Sequence, residues 1–259
     1  MTVAFRNLLL LLVLAAGQGG VQARPRPVPD RLVVLTFDDA VLSHATYVAP
    51  LLKKYGFGAT FFVCEFREPA FADKSKYMSW AQIRELHHLG FEIGSHTLTH
   101  RHVNKLSENE LEAELDSVES RCRAQRIPRP VTFAYPGYDT SARALAVLGG
   151  RGYRLARAGG DRPYNPATDD PLLIPSYTTL ATNRQQILDA LAQAKDGHIV
   201  VLTIHGVPDL AHAWVTIPPA LFEEYLKLLK DKNYHVVALR DVARYVAPNP
   251  ALPTLPAPR

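Results

Sequence analysis

Cysteine is scarce. Cys64 and Cys122 are the only two in 259 residues. Two cysteines cannot build a disulfide framework, and these stand too far apart in sequence for a zinc ribbon. They are expected as two small buried side chains, with a disulfide left open. Long apolar runs are also missing. The N-terminal run from Leu8 to Ala16 is too short to span a bilayer comfortably. Nor does one sign of charge dominate: 29 Lys and Arg face 25 Asp and Glu, a formal net charge of +4. The basic residues are scattered, and no basic patch is interleaved with aromatics, so no nucleic-acid partner is expected. The mild excess is compatible with an acidic polymer such as a cell-wall glycan. No internal repeat is visible.

What is present is an ordinary globular composition, 47% hydrophobic and 21% charged, enough for a full core. Arg6 precedes the apolar run, and Val21-Gln22-Ala23 has the small-residue pattern of a signal-peptidase site. Residues 1–23 are therefore expected to be a signal peptide. The mature chain would be secreted or periplasmic, in the cell envelope, with no stable membrane insertion after signal removal. Residues 24–31, rich in Pro and Arg, read as a linker. Residues 248–259 read as a Pro-rich tail. Residues 32–247 form one domain.

Within that domain, short β-type runs alternate with amphipathic helical patterns. Strands are expected at Leu32–Phe37, Ala59–Val63, Phe91–Gly94, Val131–Tyr135, Tyr153–Arg157, Leu173–Thr178, His198–Ile204 and His235–Leu239. Helices are expected at Tyr47–Tyr55, Trp80–Leu89, Ser107–Gln125, Ala142–Leu148, Asn183–Ala194 and Pro219–Leu229. Ser79 is a plausible N-cap, and Ser107-Glu108-Asn109-Glu110 is a capping-box signature. Continuous apolar strands alternating with helices imply a parallel sheet covered by helices. About seven such units predict a distorted, incomplete parallel (β/α)-barrel, whose active site gathers at the C-terminal ends of the strands.

The strand ends carry the polar residues. Strand one ends in Asp38-Asp39, strand three in Ser95-His96 with His100 beyond, strand four in Tyr135-Pro136-Gly137, strand five in Arg157, and strand seven in His205-Gly206. Packing alone rarely places acidic pairs and histidines there. Asp38-Asp39 alone could be an acidic cap for the next helix. His96-Thr97-Leu98-Thr99-His100, if helical, puts two imidazoles on one face, as a metal requires. Two His and one carboxylate with open positions match a catalytic zinc-type site. His205 is either a satisfied core histidine or, from its place at the strand exit, a general acid or further ligand.

TFDD, SHTLTH and a strand ending VLTIH, in that order, resemble the polysaccharide deacetylases, the NodB-like carbohydrate esterases. The resemblance covers roughly residues 31–245 at the level of the whole αβ pattern. It implies that Asp38 is the catalytic base, that Asp39, His96 and His100 hold a divalent metal ion, zinc being the expected one, and that His205 is the general acid. It implies a hydrolase that removes acetyl groups from a carbohydrate polymer.

Two departures from the family pattern stand out. Ala40 follows the aspartates where glycine is usual. Ala134 occupies the place of the arginine that normally tethers the catalytic Asp. Arg157 is the candidate substitute, with a surface salt bridge as its other reading. Tyr135, Pro136, Gly137 and Trp214 are candidate substrate contacts, although a tryptophan in such a loop could equally anchor it. His212 reads as a surface histidine, with a contact to substrate or to a group behind the ligands as its other reading. The missing arginine keeps open a catalytically silent carbohydrate-binding protein on the same fold, and an amidase acting on a small cyclic amide remains a further alternative. The sequence leaves the polymer, N- versus O-deacetylation and the oligomeric state open.

Overall fold

A computed structural model describes residues 25–67 and 69–247. The expected signal peptide and the Pro-rich tail lie outside the described residues. The strands are β1 (Leu32–Phe37), β2 (Thr60–Val63), β3 (Glu92–Ser95), β4 (Thr132–Ala134), β5 (Leu155–Arg157), β6 (Tyr177–Thr178), β7 (Val200–Ile204) and β8 (His235–Val237). The helices are α1 (Ala49–Tyr55), α2 (Trp80–His88), α3 (Glu108–Ala124), α4 (Ala142–Gly150), α5 (Arg184–Leu191) and α6 (Pro219–Asp231).

All the strand pairings are parallel. The order β5-β4-β3-β2-β1-β7-β6 makes a curled seven-strand path, and β8 pairs with the N-terminal half of β1. This is the incomplete parallel barrel expected from the sequence. β1, β2 and β7 are buried along their whole length, because helices cover one side of a parallel sheet and the other side faces the barrel interior. The main core sits between β1, β2 and β7 and helices α1, α2, α5 and α6, around Phe37, Phe61, Leu202 and Phe222.

The helix starts follow their sequence signals. Ser79 and Gln82 form a capping box at α2, and Ser107 and Glu110 form one at α3. Each cap satisfies backbone N–H groups that have no partner inside the helix. Gly56 ends α1 in the left-handed conformation, φ 73°, which glycine adopts without a Cβ penalty.

Three expectations need correction. The sixth strand shrinks to Tyr177–Thr178, because Pro175 lacks an N–H for a ladder. Ile174 instead makes an isolated bridge to Arg157, which draws the two sheet edges together. The stretch 25–31 is tied to the body rather than free: Arg26 N–H donates to Arg244 O, and Val28 packs on the core. Residues 96–100 are not helical, as described below. Cys64 and Cys122 are free and buried. Among the described residues no helix is long and apolar enough to cross a membrane.

Candidate active site

The cleft opens at the C-terminal ends of the strands. Asp38, Asp39, His96, His100, His205, Gly137, Tyr138, His212 and Trp214 all line it. The backbone there departs from regular geometry. Asp39 has φ 73°, Ala40 φ 51°, Thr97 φ 55° and His100 φ 55°. A left-handed residue after β1 turns the chain so that adjacent aspartates, which a strand would point apart, both face the cleft. Ala40 stands in a conformation that suits glycine, which explains why glycine is usual there. Such strained positions persist where the surroundings hold them, and they cluster at functional sites.

The same device brings the histidines together. The chain from His96 to His100 is a turn with two left-handed residues, not the helical turn the i, i+4 spacing suggests. The two rings still end 4.8 Å apart. His96 Nδ1–H donates to Ala134 O at 2.8 Å, which leaves the Nε2 lone pair facing Asp39. Nε2 lies 3.6 Å from Asp39 Oδ1, and His100 Nε2 lies 3.4 Å from the same oxygen. One donor atom from each of Asp39, His96 and His100 falls within 4.8 Å of the others. One carboxylate and two neutral imidazoles are a donor set that suits a divalent ion with open positions. Burial pushes His96 down to about 4 and, with His96 beside it, His100 down to about 3. Burial and the neighbouring Asp38 push Asp39 up to about 7. A buried carboxylate raised in this way gains from a cation bound beside it.

Asp38 is different. Burial would raise it, but the Arg157 guanidinium, with His96 and His205, outweighs burial and holds it below the usual carboxylate range. Arg157 Nη2 donates to Asp38 Oδ2 at 2.5 Å, and both side chains are buried. The guanidinium lies 5.3 Å from the Tyr138 ring and 5.6 Å from the Phe62 ring. Of the two sequence readings for Arg157, the tether matches this contact and the surface salt bridge does not. In the β4–β5 ladder Arg157 is paired with Ala134, so the guanidinium enters one strand over from the position usual in the family. Asp38 Oδ1 has no hydrogen-bond partner in the protein.

His205 leaves β7 with its Nε2 3.8 Å from Asp39 Oδ2. Burial lowers its pKa. Two neighbours that the sequence did not single out grip this turn. His44 Nε2–H donates to His205 O at 2.7 Å, and Ser43 Oγ accepts from Val207 N–H at 2.9 Å.

The remaining candidates divide. Trp214 is 75% exposed at the rim, and its ring lies 5.4 Å from that of His212 in the same loop. Gly137 lies on the wall with φ 61°, and a Cβ there would meet His102 Cε1 at 2.3 Å. Tyr135 borders the cleft, but its phenol is buried and donates to Leu172 O, so that hydroxyl is committed to the fold. Pro136 is buried behind the wall. Phe66 and Thr178 line the cleft without having been singled out as substrate contacts, and His212 lines it too. His212 is not a surface histidine. Its ring packs 5.2 Å from Phe66, and Asp209 and Asp39 raise its pKa against the effect of burial. Phe66 follows β2 as Trp214 follows β7, so a survey of every strand exit would have found it.

Comparison with known proteins identifies the family. A family model described as polysaccharide deacetylase matches residues 26–156, from ahead of β1 into β5. A chitin deacetylase from Pestalotiopsis sp. is 27% identical over 161 residues, covering 58% of this chain and 52% of its own. A peptidoglycan-N-acetylglucosamine deacetylase from Bacillus cereus is 29% identical over 113 residues, covering 43% of this chain and 48% of its own. The chain thus spans about half the length of the curated relatives it matches. The chitin deacetylase structure from Colletotrichum lindemuthianum superposes with a TM-score of 0.61 at 22% identity, covering 88% of this chain and 92% of its own. The Xyl-CE4 domain of a multidomain xylanase from the hindgut metagenome of Trinervitermes trinervoides gives 0.57 at 20%, covering 83% and 90%. These two likenesses speak for the fold. Motif order, strand-end geometry and the match over half the chain agree: this chain belongs to the polysaccharide deacetylase family.

Proposed function

We propose that this protein is a metal-dependent hydrolase that removes acetyl groups from a sugar polymer outside the cell, of the N-acetylglucosamine type or an O-acetylated glycan. One observation carries the reading: Asp38, kept ionised by Arg157, stands beside the Asp39–His96–His100 donor set, with His205 on the same cleft. A divalent ion held there, zinc by the donor chemistry, supplies Lewis acidity toward water and the acetyl carbonyl. Asp38 takes the proton of the attacking water through its unpartnered Oδ1. His205 gives a proton to the departing amine or alkoxide. Arg157 holds Asp38 in place and ionised, as the usual arginine would from position 134. Gly137 shapes one wall, and Trp214 offers an exposed face on which a sugar ring can stack.

The Arg157 contact weighs against a catalytically silent carbohydrate-binding protein, since it supplies the function whose absence suggested decay. The intact donor set weighs against a metal-free amidase. The N-terminal signal pattern favours secretion or the periplasm, and N-terminal sequencing of the mature protein checks that.

The test combines metal analysis of the purified protein with acetate release from chitin oligomers, peptidoglycan and acetylated xylan, for the wild type and Asp38→Ala. Stoichiometric zinc and acetate release that Asp38→Ala abolishes are expected. Bound metal without acetate release from any of these polymers overturns the enzymatic reading.

A further inference from the structure

The loop after β7 carries an acid–imidazole pair that none of the roles above uses. Asp209 is 3% exposed. Its Oδ1 accepts the backbone N–H groups of Ala211 at 2.9 Å and His212 at 2.7 Å, and its own N–H donates to Thr216 Oγ1 at 2.8 Å. Gly206 makes room for it: a Cβ there would stand 2.5 Å from Asp209 Cα. The carboxyl is thereby fixed with Oδ2 3.4 Å from His212 Nδ1. On its other side the imidazole is held by the Tyr77 hydroxyl, 3.3 Å from Nε2, and by the rings of Phe66 and Trp214. His212 Nδ1 also lies 3.7 Å from Asp39 Oδ2. His212 Nδ1 and Asp209 Oδ2 are both buried and meet as an ion pair, without the geometry of a full hydrogen bond. A buried imidazole edge that faces two carboxylates without a full hydrogen bond to either asks for a reason.

Asp39 supplies one. Its two oxygens have different neighbours. Oδ1 faces His96 and His100, while Oδ2 faces His205 at 3.8 Å and His212 at 3.7 Å. A carboxylate that holds a metal through one oxygen is free to rotate unless the other is backed. Losing such a backing group typically costs about 10–100-fold in metal affinity.

We propose that His212, oriented by Asp209, is the positioning residue for Asp39: its Nδ1 edge backs Oδ2 and leaves Oδ1 to the metal. This rests on the metal-dependent reading above and narrows it to how one ligand is held. Because Nδ1 is the atom concerned, the two amide replacements behave differently. In His212→Asn the amide nitrogen falls near Nδ1, and in His212→Gln it falls near Nε2. Zinc affinity of the full chain is measured by competition with a chromogenic chelator, without reference to catalysis. His212→Ala, His212→Gln and Asp209→Ala are expected to bind zinc about tenfold or more weakly, and His212→Asn to stay within about threefold of wild type. Thermal melts of the metal-free proteins identify any folding defect, which would not follow this Asn-versus-Gln split. Wild-type zinc affinity in His212→Ala overturns the proposal, as does an equal loss in His212→Asn. A raised KM at saturating zinc with unchanged affinity makes His212 a substrate contact and likewise overturns it. Acetate release is scored separately. The zinc pattern across the variants, together with no acetate release by the wild type, supports the positioning role while sinking the deacetylase reading.

Discussion

Removing the Arg157 guanidinium tests the most unusual feature of the site. Arg157→Ala leaves Asp38 buried, 2% exposed, without the cation that outweighs its desolvation. Breaking one side of a buried pair costs about 3–5 kcal/mol. Arg157 Nε and Nη1 are themselves buried and unpaired, so its removal also relieves a desolvation cost. The expected loss therefore lies at the lower end, about 3 kcal/mol. The catalytic effect should be larger in kind. With the cation gone, burial raises Asp38, and the acid limb of kcat/KM moves to higher pH. Loss of an effective base costs about 10²-fold or more at neutral pH. The control comes from the sheet. Ala134 and Arg157 are paired in register on adjacent strands, so Ala134→Arg combined with Arg157→Ala moves the guanidinium one strand across. That double variant is expected to recover about tenfold of the lost kcat/KM and to return the acid limb toward its original position. The assay is acetate release between pH 5 and 9 at saturating zinc, with urea unfolding in parallel. A single variant that keeps its acid limb and stays within about threefold of wild-type kcat/KM refutes the assignment of Arg157 as tether.

Other predictions follow from groups outside the Asp39–His96–His100 cluster. Glu92 is buried at the opposite end of the barrel, where it accepts from Thr60, Thr132 and the Arg240 N–H, and burial raises its pKa above 4.5. As pH rises past 4.5 the unfolded chain ionises first, so the wild type loses stability relative to Glu92→Gln; a pH-independent difference in urea unfolding from pH 4 to 8 refutes this. His44 is held down at about 4 by burial. As pH falls from 6.5 toward 4 the unfolded chain takes the proton first, so roughly 3 kcal/mol of stability should be lost. His44→Gln, which keeps a donor for His205 O, should lack that loss when the metal-free proteins are unfolded at pH 7 and pH 4.5. Gly137→Ala must bear φ 61° and a contact with His102. Thermal unfolding should show a loss of about 2 kcal/mol or more, with a fall in kcat/KM as the wall shifts.

Much of this was legible in the sequence, because its signals are local. Runs of apolar residues mark buried strands, and a Ser followed three residues later by Glu or Gln marks a helix start. The parallel sheet then follows from the alternation of the two patterns. Asp38, Asp39, His96, His100 and His205 were legible because each stands where a buried strand stops, and a barrel gathers those ends in one place. Spacing misled where the backbone took left-handed steps: His96 to His100 reads as helical and folds as a turn. Tyr135 reads as a contact, yet its hydroxyl is spent on Leu172, far along the chain. The tether between Asp38 and Arg157 spans 119 residues, and only an arginine in an apolar strand hinted at it. Nothing in the order of residues joins His212 to Asp39, or His44 to the carbonyl of His205. Sequence patterns report periods of a few residues, whereas which distant side chains meet is set by sheet order, register and the turns at strand ends. The chain by itself determined its barrel and the strand-end residues that face the cleft. Only the tertiary structure decided which partners hold them there, because burial beside a specific neighbour fixes the charge and direction of each group.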